Sequence, residues 1–293
     1  MPLSSVLLQQ FTRAVHPFVV SGTPQVIPLG HDHVLIWSNA TYSWGTPAVC
    51  MTTRPWGPEG TQTASQYYSH PDVSCWPMAQ RIPLAIVQTS RDGRSRYAHT
   101  WRDCYPGARV QCFDDEQVSR MLKPTRWAAV WHRLTGVQQA DVFRYWYLHQ
   151  HGGVYADTDV SCNRALPDHV LRGHKLVVGL ESNVTDAKLA QHLGMMRNGQ
   201  YVQWTMAATA GHPALRDVLD SIYRAVPPRA SSDVDFTLGL TGPWAWTRAV
   251  RRNMHGVLVL PQVAFACNGY SSPPCSGSHY VQHHYDGSWR VGL

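Results

Sequence analysis

The stretch that decides the fold is ADVFRYWYLHQHGGVYADTDV, residues 140–160. It reads as a helix, a glycine break, a short strand and two carboxylates one residue apart. Gln138 to His151 contains no Pro or Gly and is rich in aromatics. Val142, Trp146 and His149 fall at i, i+4 and i+7. Ala140, Phe143 and Tyr147 form an adjacent row, so a wide stripe can be buried. Thr135 and Gln138 have capping-box spacing for the helix start. Gly152 suits the left-handed residue past the last turn, and Gly153 forbids resumption of the helix. Val154 to Ala156 then makes a strand, and Asp157 and Asp159 sit where it ends.

In extended backbone, two carboxylates separated by one residue point the same way. Their mutual repulsion is costly unless a cation neutralises it. Oxygen ligands of this kind suit Mn²⁺ or Mg²⁺, ions that bridge to phosphate. Asp141 and Arg144 are i, i+3 on the preceding helix and share a face. A buried Asp–Arg pair beside a metal suits a ligand rich in hydroxyls and phosphate. A bare DxD is common and by itself reads as a turn; the whole string is far more specific.

That string resembles the signature of the DXD-containing sugar transferases, which include fungal initiation-specific α-1,6-mannosyltransferases and, more distantly, the glucosylating domains of clostridial toxins. Further marks of the family recur in order: Ile82-Pro83 leading to Gln88-Thr89, Trp101, Tyr105-Pro106-Gly107, His212-Pro213, Thr241-Gly242-Pro243, and His283 to Trp289. The likeness covers about Arg81 to Leu293.

The resemblance implies a GT-A type α/β fold, a nucleotide-binding mixed central sheet flanked by helices, over residues 81–293. Residues 1–80 are then an N-terminal attachment of unknown role. The implied activity is metal-dependent, retaining transfer of a hexose from a UDP- or GDP-linked donor to a hydroxyl on a glycan, lipid or protein acceptor. The implied cation is Mn²⁺, with Mg²⁺ as the alternative. Asp157, Asp159 and His283 would hold it. Asp141, Arg144, Asp157 and Asp159 would carry the catalysis. Gln88, Thr89, Trp101, Asp141, Arg144, Tyr155, Asp157, Ser288 and Trp289 would contact the donor. For Trp101, core packing competes with stacking on the base.

Composition sets wider bounds. The 293 residues carry a net charge of +6, only 15% charged residues, and many Trp (12), Tyr (13) and His (16). Arg251-Arg252 is the single adjacent basic pair, so no nucleic-acid stripe is present. No apolar run approaches the roughly 18 residues of a transmembrane helix, and the first twenty residues make a poor signal peptide. The expectation is a soluble protein, of microbial or viral cytoplasm rather than Golgi lumen, unless an anchor has been trimmed away. Seven cysteines lacking any CxxC read as mostly free thiols, with Cys50/Cys75 and Cys267/Cys275 able to pair in an oxidising compartment.

Along the chain, residues 3–15 have the pattern of an amphipathic helix, and Val26-Ile27 and Val34 to Trp37 read as strands. Ile82 to Val87 is an apolar strand with Gln88 and Thr89 at its exit, where nucleotide-binding sheets meet their ligand. Asp114 to Glu116 read as caps of the helix that follows. Leu176 to Leu180 and Val257 to Leu260 are strands. Pro213 opens a helix stopped by Pro227-Pro228, and Pro243 opens another. Two rival functions are a non-catalytic sugar- or nucleotide-binding protein and a DxD phosphatase. The phosphatase needs a later Gly-Asp-x-x-x-Asp pair that the sequence lacks.

Overall fold

The computed structural model describes residues 81–229, 231–265 and 279–286 in full, with the backbone of five strands ahead of them. The chain divides into two units, residues 1–81 with 167–173, and residues 82–166 with 174–293. In the first unit, β1 (Val19–Ser21), β2 (Pro24–Gly30), β3 (His33–Tyr42), β4 (Pro47–Met51) and β5 (Ser74–Pro77) form an antiparallel sheet ordered β1-β3-β4-β5, with β2 also on β3. The strands expected around Val26 and Val34 lie inside β2 and β3, where Val26 is opposite Ile36. The helix expected at residues 3–15 and the Cys267/Cys275 pair lie outside the described residues, and of Cys50 and Cys75 only the backbone register is described, which sets them opposite each other.

The second unit holds β6 (Ala85–Thr89), β7 (Arg109–Phe113), β8 (Gly153–Ala156), β9 (Val160–Cys162), β10 (Leu176–Ser182), β11 (Gln200–Ala208), β12 (Val257–Leu260) and β13 (Val281–His283). The helices are α1 (Ala98–Cys104), α2 (Asp115–Leu122), α3 (Gly136–His151), α4 (Asp168–Gly173, in the first unit), α5 (Ala187–His192), α6 (Pro213–Ala225), α7 (Val234–Leu240), α8 (Pro243–Arg252) and α9 (Gln262–Phe265). Six strands form a central sheet ordered β12-β10-β11-β8-β6-β7. Every neighbour pair is parallel except those made by β11, which runs against both β8 and β10. This is the mixed α/β sheet flanked by helices that the motif string predicts. The carboxyl ends of β6, β8 and β10 consequently meet the start of β11 at one end of the sheet. β9 and β13 pair separately as an antiparallel ribbon.

Local chemistry explains the boundaries. Thr135 accepts from the Gln138 backbone N–H while the Gln138 side chain accepts from Thr135 N–H, the capping box that opens α3. Asp114 and Gln117 do the same for α2, so Asp114 caps as expected, while Asp115 and Glu116 lie in the helix's first turn. Pro213 and Pro243 begin α6 and α8. Gly152 has φ 68°, but its ψ of −169° is extended instead of left-handed helical. A Cβ there would meet the Ala208 carbonyl oxygen at 2.9 Å, and one on Gly153 would meet that of Ala85 at 2.6 Å. The glycines thus permit a reversal pressed between two strands.

α3 is not the one-faced helix its periodicity suggests. Asp141 to Tyr145 are all buried, because the helix is enclosed by its neighbours. Phe143 and Leu148 join Val218, Ile222, Met206, Trp246 and Val250 in one core. Each such side chain, once buried, contributes roughly 1.5–3 kcal/mol. Among the described residues no helix is long and apolar enough to cross a membrane.

The cysteine expectation needs correction. Cys104 on α1 and Cys162 on β9 are joined by a disulfide across a separation of 58 residues. Cys112 is the free thiol among the described residues, and burial raises its pKa.

Candidate metal centre

β8 delivers Asp157 to the sheet end, where its backbone is fixed from three sides. Its N–H donates to the Trp204 carbonyl at 2.8 Å. Its carbonyl accepts from the Gln88 side-chain amide at 3.1 Å and from Val160 N–H at 3.1 Å. The carboxylate accepts from the Tyr155 hydroxyl at 2.7 Å and pairs with Arg144 Nη2 at 3.1 Å.

Behind it lies a buried layer. Arg144 Nη2 is also 3.1 Å from Asp141 Oδ1, Nη1 donates to the Gln203 carbonyl at 3.3 Å, and the guanidinium lies 4.7 Å over the Tyr155 ring. Asp141 Oδ1 accepts from Gln203 Nε2 at 2.6 Å and Oδ2 from Thr241 Oγ1 at 2.7 Å. Burial pushes the Asp141 carboxyl up to about 6, with Arg144 and Thr241 opposing. Burial works against the Arg144 charge, but Asp157 and Asp141 together hold its pKa above the usual value.

In front lies a more open pair. Asp159 Oδ1 is 3.5 Å from His283 Nε2, and Oδ2 accepts from Asp286 N–H at 3.2 Å. The β9–β13 ribbon sets His283 opposite Val160 and thereby brings the tail to the DXD segment. Burial and the neighbouring Asp157 raise the Asp159 pKa against His283, while burial lowers that of His283. One ligand atom from each of Asp157, Asp159 and His283 lies within 4.8 Å of the others. Two hard oxygens and an imidazole nitrogen converging from partly exposed side chains fit a dication of the Mn²⁺ or Mg²⁺ class.

The structure brings Asp141, Arg144, Tyr155, Asp157, Asp159 and His283 together, with Gln88 alongside. Three of the residues expected to contact the donor are buried in this structure. Trp101 is in the core, 1% exposed, its indole N–H donating to the Val160 carbonyl and its ring stacked on Tyr105. Of the two readings it takes the packing one here, and its indole bond anchors β9. Tyr155 has no exposed surface, and its hydroxyl is engaged with Asp157. Gln88 is equally buried, its amide donating to main chain. Thr89 is half-buried at the exit of β6, donating to the Phe113 carbonyl. Asp141 and Arg144 sit behind Asp157, not in the open, so a sugar reaches them only by exchanging for a Gln203 or Thr241 bond. Ser288 and Trp289 lie outside the described residues.

His284, unassigned in the sequence, hydrogen-bonds Ser161 at 2.9 Å and stacks on Tyr97. Gln203 and Trp204 carried no assignment either, and Glu181 stood only as a polar residue at the exit of the 176–180 strand. The available signal was a glutamine inside the apolar run from Val202 to Ala208, which a buried strand accepts only when its amide has partners.

Residues 92–177 match the family described as glycosyltransferase sugar-binding region containing DXD motif. The chain is 28% identical over 255 residues to an initiation-specific alpha-1,6-mannosyltransferase of Schizosaccharomyces pombe, covering 71% of this chain and 64% of that one. To the protein of the same description from Candida albicans it is 25% identical over 193 residues, 57% of this chain and 50% of that one. The chain thus spans less than two thirds of either relative's length. A solved structure titled PaToxG Glycosyltransferase aligns over 62% of this chain and 73% of its own, with a TM-score of 0.40 and 15% identity.

Proposed function

We infer that this chain, bearing a DXD sugar-binding region like that of the fungal mannosyltransferases, is a metal-dependent retaining hexosyltransferase acting on a nucleoside-diphosphate sugar, over a catalytic domain of residues 81–293. The observation that carries the reading is the convergence of Asp157, Asp159 and His283 at the carboxyl ends of the parallel strands. When bound, the dication supplies positive charge beside the departing diphosphate. The chain's own residues do the rest. Tyr155 and Arg144 fix the Asp157 carboxylate, and Gln88 and Trp204 fix its backbone. Asp141 and Arg144 back Asp157 and meet the sugar only by giving up a Gln203 or Thr241 bond. Gln88 Oε1 and Arg144 Nε, an acceptor and a donor buried beside Asp157, have no partner among the described residues. A ligand hydroxyl that reached either atom would satisfy it.

Retention follows from front-face attack by the acceptor hydroxyl: its oxygen takes the anomeric carbon as the carbon–phosphate oxygen bond breaks, and its proton passes to the leaving phosphate. Glu181, a half-buried carboxylate at this sheet end, accepts from Gln200 at 2.8 Å and Trp204 at 3.2 Å and is thus engaged rather than offered as a nucleophile. The relatives' names favour mannose as the hexose. The test is turnover of UDP- and GDP-linked hexoses with Mn²⁺ or with EDTA, the product anomer read by NMR. Metal-dependent release of nucleoside diphosphate with retention is expected. Cleavage of simple phosphomonoesters, or binding without turnover, would favour the phosphatase or the binding protein.

A further inference from the structure

Trp204 touches two of the three prospective ligands through different parts of itself. Its carbonyl accepts the Asp157 N–H at 2.8 Å, a contact set by the β8–β11 ladder in which Thr205 is opposite Ala156. Its indole packs on the His283 imidazole with ring centroids 4.7 Å apart at 45°. The two ligands arrive on separate strands, β8 and β13, from positions more than a hundred residues apart in sequence. Trp204 is where they are referred to one another.

A tryptophan backs an imidazole only if the indole is itself held. Here the indole N–H donates to Glu181 Oε1 at 3.2 Å. The other carboxylate oxygen, Oε2, accepts from Gln200 Nε2 at 2.8 Å, and the Glu181 carbonyl accepts from Gln262 Nε2 at 2.9 Å. Gln200 Oε1 in turn accepts from Met196 N–H at 3.0 Å. A carboxylate only accepts, so it can hold the indole N–H in one orientation, and bonds to an ionised acceptor are about twice as strong as neutral ones.

We propose that Trp204, anchored by Glu181, is a positioning residue that sets the spacing between Asp157 and His283 and thereby the affinity of the centre for its dication. The proposal rests on the metal-dependent reading above and adds to it a pair of residues that neither ligate nor meet substrate. Groups behind metal ligands typically alter affinity about 10- to 100-fold when lost.

The experiment is a Mn²⁺ titration of the full chain, free ion followed by EPR, with folding checked by circular dichroism. Glu181→Leu is expected to weaken Mn²⁺ binding about tenfold or more. Trp204→Phe, which keeps an aromatic ring but removes the N–H, should weaken it in the same direction. Glu181→Gln, whose carbonyl still accepts from the indole, should stay within about threefold of wild type, the size of a neutral hydrogen bond. Folded Leu and Phe variants that bind Mn²⁺ like wild type would overturn the proposal while leaving the metal site standing. If Glu181→Leu does not fold, the Phe variant alone decides. Absence of Mn²⁺ binding by wild type would instead overturn the metal-dependent reading and this inference with it.

Discussion

Asp157 and Asp159 are one residue apart, yet the fold treats them in opposite ways. Asp157 is held through its N–H, its carbonyl and its carboxylate, and behind it Asp141 and Arg144 are almost wholly buried with hydrogen bonds to Gln203 and Thr241. The Asp159 carboxylate meets the chain through an imidazole and one backbone N–H, and its carbonyl accepts from His284 N–H at 2.9 Å. The difference separates two tasks. Paired charges in a dry layer stabilise only while their partners stay, whereas a partly exposed carboxylate with few partners is held for something that arrives.

The largest break in this contrast comes from exchanging which half is damaged. Arg144→Leu strands Asp141 in the interior and should lower stability by about 3–5 kcal/mol in denaturant titrations. Asp159→Asn should leave stability within about 0.5 kcal/mol while cutting turnover about a hundred- to thousandfold. Equal stability losses in the two variants would erase the distinction.

Acidity sharpens it next. Asp141 has its pKa raised from the ordinary carboxylate value to about 6, so the stability it contributes is fully present below about pH 4 and is lost as pH rises through 6. His212, which accepts from the Ala214 N–H at the start of α6, is lowered by burial to about 4. Its contribution is present above about 6.5 and is lost as pH falls through 4. The two oppose each other over the same window, each worth about 3 kcal/mol. Melting curves should show Asp141→Asn losing stability on acidification faster than wild type, and His212→Asn losing it more slowly. Parallel curves for all three proteins would reject the pairing. The smallest effect is expected from Thr241→Val, which takes one donor from Asp141 and should cost about 1–2 kcal/mol in the same assay.

How far the sequence disclosed all this depends on range. Thr135, Gly152, Gly153, Asp114 and Pro213 act through neighbours a few residues away, and their roles were legible as caps and breaks. So was the exit of β8 at Asp157. Trp101 was not, because an indole near a binding edge and an indole in the core have the same sequence. Asp141 is reached by Gln203 across 62 residues and by Thr241 across 100, distances at which no local pattern speaks. The proximity of His283 to Asp159 required the β9–β13 register, which only the folded chain supplies.

The Cys104–Cys162 bond has a practical bearing on where such a chain can be made. It joins α1 to the strand that leaves Asp159, alongside the Trp101 bond to Val160 and the Cys162 N–H bond to Thr100. A covalent loop of this length adds about 4 kcal/mol by chain-entropy arithmetic. Cells that keep thiols reduced would withhold that clasp. Material from a reducing cytosol should melt earlier than material from an oxidising compartment, and the segment bearing the second aspartate would be the first to loosen.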